Sequence, residues 1–528
     1  MFERVLKGGS LADGTGNPIF MADLAMEGGK IAAIGQDLHG REEIDVRGYT
    51  VTPGFLDIHR HGDAEVFRPH FGELELAQGL TSIVNGVCGL SLAPFGHTHR
   101  EALLRYLQPV TGELDPKIPT DSMESYLGAL KNLPIHVGMM VGGGTVRSDV
   151  CGYAPEDPTD YAPIHRRLED ALSQGALGVS LGLGYAPECF YSTDSLIRAL
   201  APLKDSAYPI AVHMREEGDM VCEAVSEMIA VAKALRCPLH ISHLKAMGMR
   251  NWGKKIPTAL SLMEQARQEG VAVTCDVYLY EAGSTQLLHL LPPDFLAGGV
   301  DAIAERLRQP AKIAELRHRI ETGRDFDNIA QMVGWDNILV SSLPSPHNQR
   351  FMGKTMTEIS EDLSMDPVAC LCKLLSDERC AVTMIDRINS EEDICTILRD
   401  PYSAVISDAT YPTRGLPHPR VYGSYPRLIQ RFVLEKGVLT LEEAVRKCTS
   451  LPAKIMGLGT KGLLQTGMDA DIAVFRPEDL RENATFLQPR QESTGMEYVF
   501  VAGEAALWKG RRTQSQSGQV MHPAGDCR

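Results

Sequence analysis

Gly54-Phe55-Leu56-Asp57-Ile58-His59-Arg60-His61, residues 54–61, is an apolar run that closes on two histidines at alternate positions. Residues two apart on an extended strand share a face, so His59 and His61 can converge on one metal ion. The same spacing also occurs in surface turns, and its weight comes from the company it keeps along the chain. Seven more short apolar runs succeed it, at Thr81 to Val87, Ile135 to Val141, Ala176 to Leu181, Pro209 to His213, Pro238 to His243, Val271 to Val277 and Ser403 to Asp408. Amphipathic helical stretches separate most of them, which is the βα repeat of a parallel sheet. Eight such runs predict an α/β fold built on a (β/α)8 barrel, with its site where the strands end. An open doubly wound sheet is the alternative, but no G-x-G-x-x-G follows the first run. His213 closes the fifth run, His243 the sixth and Asp408 the eighth, all at that same end. His240 is three residues from His243 and faces the other way, so a hydrogen-bonding partner rather than a metal is expected for it.

Outward from the barrel, about 125 residues separate the seventh run from the eighth, more than a helix and two loops require. An inserted subdomain is expected at 286–400, either a lid over the site or a packing decoration. Helices are expected at Ala302 to Ile320 and Pro367 to Ser376, and strands at Asn337 to Val340 and Ala381 to Ile385. Short strands broken by glycine pairs fill residues 1–52, and a similar texture returns at 455–515, so the two ends are expected to form one composite β-domain around a barrel at 53–454. Residues 516–528, rich in Ser, Gln and Gly just before and within them, are expected to form a flexible tail.

The chain of 528 residues is 44% hydrophobic and 23% charged, near the globular average, and no segment offers the roughly 18 apolar residues of a membrane helix. Its 52 Lys and Arg against 68 Asp and Glu leave a charge of −16, which disfavours a phosphate-backbone partner. Neither nucleic acid nor a membrane is expected as a partner, and the sequence assigns no oligomeric state. The first residues show no basic segment followed by an apolar core, so a cytoplasmic location is expected. Twelve cysteines without a regular spacing read as free thiols.

The order His-x-His, His, His, Asp after runs one, five, six and eight resembles the metal pattern of the amidohydrolase superfamily, as does Val51-Thr52-Pro53-Gly54-Phe55-Leu56-Asp57. The fourth run, Gly178-Val179-Ser180-Leu181-Gly182, has no lysine for the carboxylated bridge of many binuclear members. Instead Asn85-Gly86-Val87-Cys88-Gly89 resembles the segment in which D-aminoacylases (N-acyl-D-amino-acid deacylases) present a bridging cysteine. Further segments similar to that family are His213-Met214-Arg215-Glu216-Glu217, Ser242-His243-Leu244-Lys245, Tyr278-Leu279-Tyr280-Glu281-Ala282-Gly283-Ser284 and His418-Pro419-Arg420.

The resemblance implies a metallo-dependent hydrolase barrel with the composite β-domain and inserted lid. It implies one tightly held Zn2+ on Cys88, His213 and His243, and a weaker second site flanked by His59, His61 and Asp408. It also implies a pocket for the substrate carboxylate from Lys245, Tyr278, Ser284 and Arg420, with Tyr185 nearby. The implied activity is hydrolysis of N-acyl-D-amino acids, a small-molecule substrate, to a carboxylate and a free D-amino acid. Asp408 would take a proton from water and return it to the leaving amine. The text departs from the family at Gly143, where histidine is usual, at Arg60, where threonine is usual, and at Asp408-Ala409-Thr410. Thr285 to Pro293 contains no arginine, which leans toward neutral or apolar side chains on the substrate. Alternative readings are a cyclic amidase of hydantoinase or dihydroorotase type, which the missing lysine and Cys88 disfavour, and a non-catalytic protein on the same fold.

Overall fold

The computed structural model describes residues 1–412 and 414–525. Eight parallel strands form a closed barrel: Phe55–Asp57, Leu80–Asn85, His136–Met139 continuing to Val141–Gly142, Val179–Gly182, Ile210–His213, Leu239–Ile241, Val273–Val277 and Ser403–Val405. Neighbours in sequence are neighbours in the sheet, from Ser82↔His136 between strands two and three to Cys275↔Ser403 between seven and eight. Closure comes from a parallel bridge between Arg60 and Ala409, beside which the Asp408 amide donates to the His59 carbonyl at 3.0 Å. The second strand is buried along its whole length, as expected of a strand walled by side chains on one face and helices on the other.

Residues from both ends build a second, nine-stranded sheet. It joins where Ile472–Phe475 pairs antiparallel with Thr50–Pro53, and Leu24, Ile31, Val51, Ile472, Val474 and Phe500 form its own apolar core.

Between strands seven and eight lies a three-stranded antiparallel sheet, in the order Gly283–Gln286, Thr383–Asp386, Ile338–Ser342. Helices surround it, including Pro367–Asp377. The single helix expected over 302–320 is instead two, Gly299–Arg306 and Pro310–Thr322. Pro310 has no amide hydrogen and its ring excludes the preceding turn, so it starts a helix rather than continuing one. The Gly283–Gln286 strand had no apolar alternation to reveal it.

The expected flexible tail is also corrected. Gly518 donates to the Leu133 carbonyl at 2.9 Å, Val137 to Gln519 at 3.0 Å and Met521 to Val137 at 2.8 Å, so the segment lies beside the third barrel strand. Met521 is buried there. Composition misleads because the order comes from backbone pairing, to which polar and small side chains are no obstacle. Residues 526–528 lie outside the described part.

Candidate metal centre and substrate pocket

Strand ends place the site. His59 and His61 lie just past the first regular strand, on either side of the bridged Arg60, so strand alternation still turns both imidazoles inward. Arg60 points outward, its guanidinium 2.7 Å from Glu75 and 3.3 Å from Asp57 and bonded to the Tyr411 hydroxyl. This departure from the family's text therefore sits behind the site. Cys88, His243 and Asp408 adopt φ values of 54°, 34° and 52°, a left-handed conformation that costs non-glycine residues energy and that surrounding structure must impose.

Four side chains meet in the centre. Cys88 Sγ is 3.2 Å from His59 Nε2 and 3.3 Å from His243 Nε2, and His213 Nδ1 is 3.1 Å from His243 Nε2. Next to them, Asp408 Oδ1 is 3.3 Å from His61 Nε2 and 3.5 Å from His59 Nε2. Burial alone would raise the Cys88 thiol pKa, but the positive charge of His59 and His243 overrides it and holds the thiol well below its ordinary value. A thiolate with converging imidazoles is a zinc donor set, and two imidazoles with a carboxylate make a second, harder one. The residues thus fit the metal that the resemblance implies.

Two buried acids that sequence reading missed orient these ligands. Asp276 lies 2.8 Å from His240 Nε2 and 3.4 Å from His59 Nδ1, and it accepts the His243 amide. His240, also 2.8 Å from Thr274 Oγ1, faces away from the centre. Glu217 lies 2.9 Å from His243 Nδ1 and 2.7 Å from Lys245 Nζ. Burial works against its charge, but His213, Lys245 and His243 together hold its carboxyl well below the usual range. Its only signal in the sequence was the pair Glu216-Glu217 after His213.

The expected carboxylate-binding side chains gather beside the centre. Arg420 Nη1 lies 2.8 Å from Asp408 Oδ2, and its Nη2 donates to the Ser284 carbonyl at 3.1 Å. Arg420 and Lys245 stand 4.9 and 5.8 Å from the Tyr278 ring centroid. Tyr185 donates to or accepts from Thr285 Oγ1 at 3.0 Å and packs its ring 4.5 Å from His213. His289, also unforeseen, packs its ring 4.9 Å from that of Tyr185 at a tilt of 43°. Burial would make Asp408 harder to ionise, yet Arg420 and a hydrogen bond from His61 hold its pKa well below the carboxylate range. All of these line one cavity of about 40 Å³. At Gly143 a Cβ would stand 2.5 Å from Glu188 Oε1, so that carboxyl fills the space where the family's text led us to expect a histidine.

Comparison with known proteins bears on this arrangement. The amidohydrolase family model matches residues 384–506. The D-aminoacylase of Alcaligenes xylosoxydans xylosoxydans is 32% identical over 98% of this chain and 97% of its own. A crystal structure of a D-aminoacylase superposes with a TM-score of 0.83 at 29% identity, covering 99% of this chain and all of that one. The N-acyl-D-glutamate deacylase of Bordetella bronchiseptica, solved with zinc and a phosphonate mimic of the tetrahedral intermediate, superposes at 0.81 with 29% identity, covering 99% of each chain. With a relative at that identity along almost its whole length and the same barrel, the chain belongs to the D-aminoacylase (N-acyl-D-amino-acid deacylase) family of amidohydrolases.

Proposed function

We propose that the protein is a zinc-dependent amidohydrolase that converts N-acyl-D-amino acids to a carboxylate and a free D-amino acid. The observation that carries this is the placement of an ionised Asp408 between the thiolate–imidazole cluster and Arg420, 3.3 Å from His61 and 2.8 Å from the guanidinium. Cys88, His213 and His243 would hold the tight zinc, with His59, His61 and Asp408 around a weaker second position. When bound there, zinc supplies Lewis acidity that polarises the acyl carbonyl and acidifies the attacking water. Asp408 takes the water's proton and then gives it to the leaving nitrogen, one carboxylate serving as base and then acid. Lys245, Arg420, Tyr278 and Ser284 orient the substrate carboxylate, which fixes the acyl bond against Asp408. Tyr185 borders the same space.

The D preference rests on the relatives' names. For the side chain, the two solved relatives are equally identical although one acts on D-glutamate derivatives, so identity does not choose. Leu90, Val110, Met247, Ile329 and Ile388 line the cavity and support a neutral or apolar substituent. Because His289, Ile329, Asp386 and Ile388 of the insertion line the cavity, we read 286–400 as a lid over a barrel at 53–454 with a composite β-domain from 1–52 and 455–515.

Rates on N-acetyl-D- and N-acetyl-L-leucine, N-acetyl-D-glutamate, hydantoin and dihydroorotate test the reading. Hydrolysis of the D-leucine derivative at least about 100-fold faster than its enantiomer is expected, a preference worth about 3 kcal/mol. Release of L-leucine at equal rate, or ring opening alone, would overturn it. Asp276→Asn should weaken zinc affinity by about 10- to 100-fold, because the His59 imidazole and the His243 backbone lose the carboxylate that holds them. Chelator competition measures this, and unchanged affinity would remove Asp276 from the centre.

A further inference from the structure

Asp386 ends the middle strand of the inserted sheet, opposite Gly283, and lines the cavity beside Lys245, Tyr278 and Arg420. It is 1% exposed, and neither carboxyl oxygen has a hydrogen-bond partner among the described residues. A buried carboxyl left unsatisfied is costly, so a group aimed this way into a binding cavity calls for a ligand atom. The neighbouring cations do not answer it. Lys245 already has Glu217 at 2.7 Å and Arg420 has Asp408 at 2.8 Å, and no cation lies within 4.0 Å of Asp386 among the described residues.

That arrangement sets the charge of the occupied pocket. At the Lys245–Arg420 end of the cavity, where each cation is matched by its own carboxylate, an ionised Asp386 and a substrate carboxylate would be two like charges side by side. Two carboxyls so placed cannot both ionise and share one proton instead. The groups that face Asp386 are Lys245 from the segment after the sixth strand, Tyr278 from that after the seventh, Arg420 from the helix Arg420–Arg427, and Glu217 behind Lys245. The flanking strands Gly283–Gln286 and Ile338–Ser342 carry no titratable side chain. Burial raises the Asp386 pKa to about 6 even against the pull of Lys245 and Arg420.

Resting on the deacylase reading, we propose that Asp386 is a substrate-binding residue that donates a hydrogen bond to the substrate carboxylate as a neutral acid, taking one proton from solvent when the substrate binds. Linkage gives the sign. The proton is already present below the free-enzyme pKa and must be acquired above it, so affinity falls as pH rises.

The test measures KM and kcat of the zinc-loaded protein on N-acetyl-D-leucine from pH 5.5 to 8.5. Above pH ~7 the wild-type KM should rise toward about tenfold per pH unit, as one proton requires, without a matching change in kcat. Asp386→Asn, which keeps a donor but cannot ionise, should hold KM within about twofold over the same range and lower it at pH 8.5. As competitive inhibitors, 4-methylpentanoate should weaken with pH in the wild type and its neutral amide should not. Parallel KM profiles for wild type and variant overturn the proposal. A wild-type KM that is constant with pH also overturns it, whether or not the variant folds. If neither protein hydrolyses any N-acyl-D-amino acid, the deacylase reading itself has failed and the proposal falls with it.

Discussion

Asp408→Asn is expected to lower kcat on N-acetyl-D-leucine by about 10³- to 10⁴-fold while zinc content stays the same. The substitution keeps the shape of the side chain and removes its ability to accept and return a proton, a role worth up to about 10⁴-fold, or roughly 5 kcal/mol of barrier. Zinc is retained because Cys88 and its two histidine partners are untouched, and Asp408 contributes only to the group formed with His59 and His61. KM should change less than kcat, although Arg420 loses the carboxylate 2.8 Å away. Because Arg420 and His61 hold Asp408 well below the carboxylate range, the base form is present throughout the neutral and weakly acidic range. Protonation of Asp408 should therefore set no limb of the kcat profile between pH 5 and 9. Steady-state kinetics with metal analysis decides, and a variant within about threefold of wild-type kcat would remove Asp408 from the proton path.

Cys88→Ala is expected to weaken the first equivalent of zinc by more than about 100-fold. Losing an outer partner of a ligand costs 10- to 100-fold, and here a thiolate that sits 3.2–3.3 Å from two imidazoles is itself removed. The free protein feels the change too. The cations of His59 and His243 depress the thiol pKa, so without the thiolate those imidazoles lose a buried counter-charge. His59 is held charged partly by Cys88 and partly by Asp276, and in the variant its pKa should fall. Chelator competition reports the affinity and proton NMR of the imidazoles reports the titration. Wild-type zinc affinity in the variant would show that the sulfur lies beside the metal rather than on it.

The groups legible in the sequence are those that carry a periodic signal. Each barrel strand is a short apolar run bounded by turns, and each expected ligand sits at the end of such a run, so order along the chain reproduces order around the barrel. Asp276 escaped because it lies inside a strand run, where its neighbours Cys275 and Val277 read simply as core. Glu217 meets His243 and Lys245, which lie far from it in sequence, and Asp386 lines a cavity that only the fold assembles; a carboxylate outside any periodic pattern looks like solvated surface until the fold buries it. His289 belongs to a short helical turn of the insertion, whose apolar text gave no direction. The polar 516–525 segment and the Pro310 break show the converse, since backbone pairing and ring geometry override composition.

If zinc on the Cys88 cluster and proton transfer by Asp408 together cleave an N-acyl-D-amino acid, metal occupancy and turnover must rise together. A zinc titration of chelator-stripped protein, following release of D-leucine from N-acetyl-D-leucine and the bound metal in parallel, measures both. Activity should be absent in the stripped protein, rise with the first tightly bound equivalent and stay about 10³- to 10⁴-fold lower at that equivalent in Asp408→Asn. Full activity without metal, or no activity at any zinc occupancy of the wild type, would contradict this mechanism.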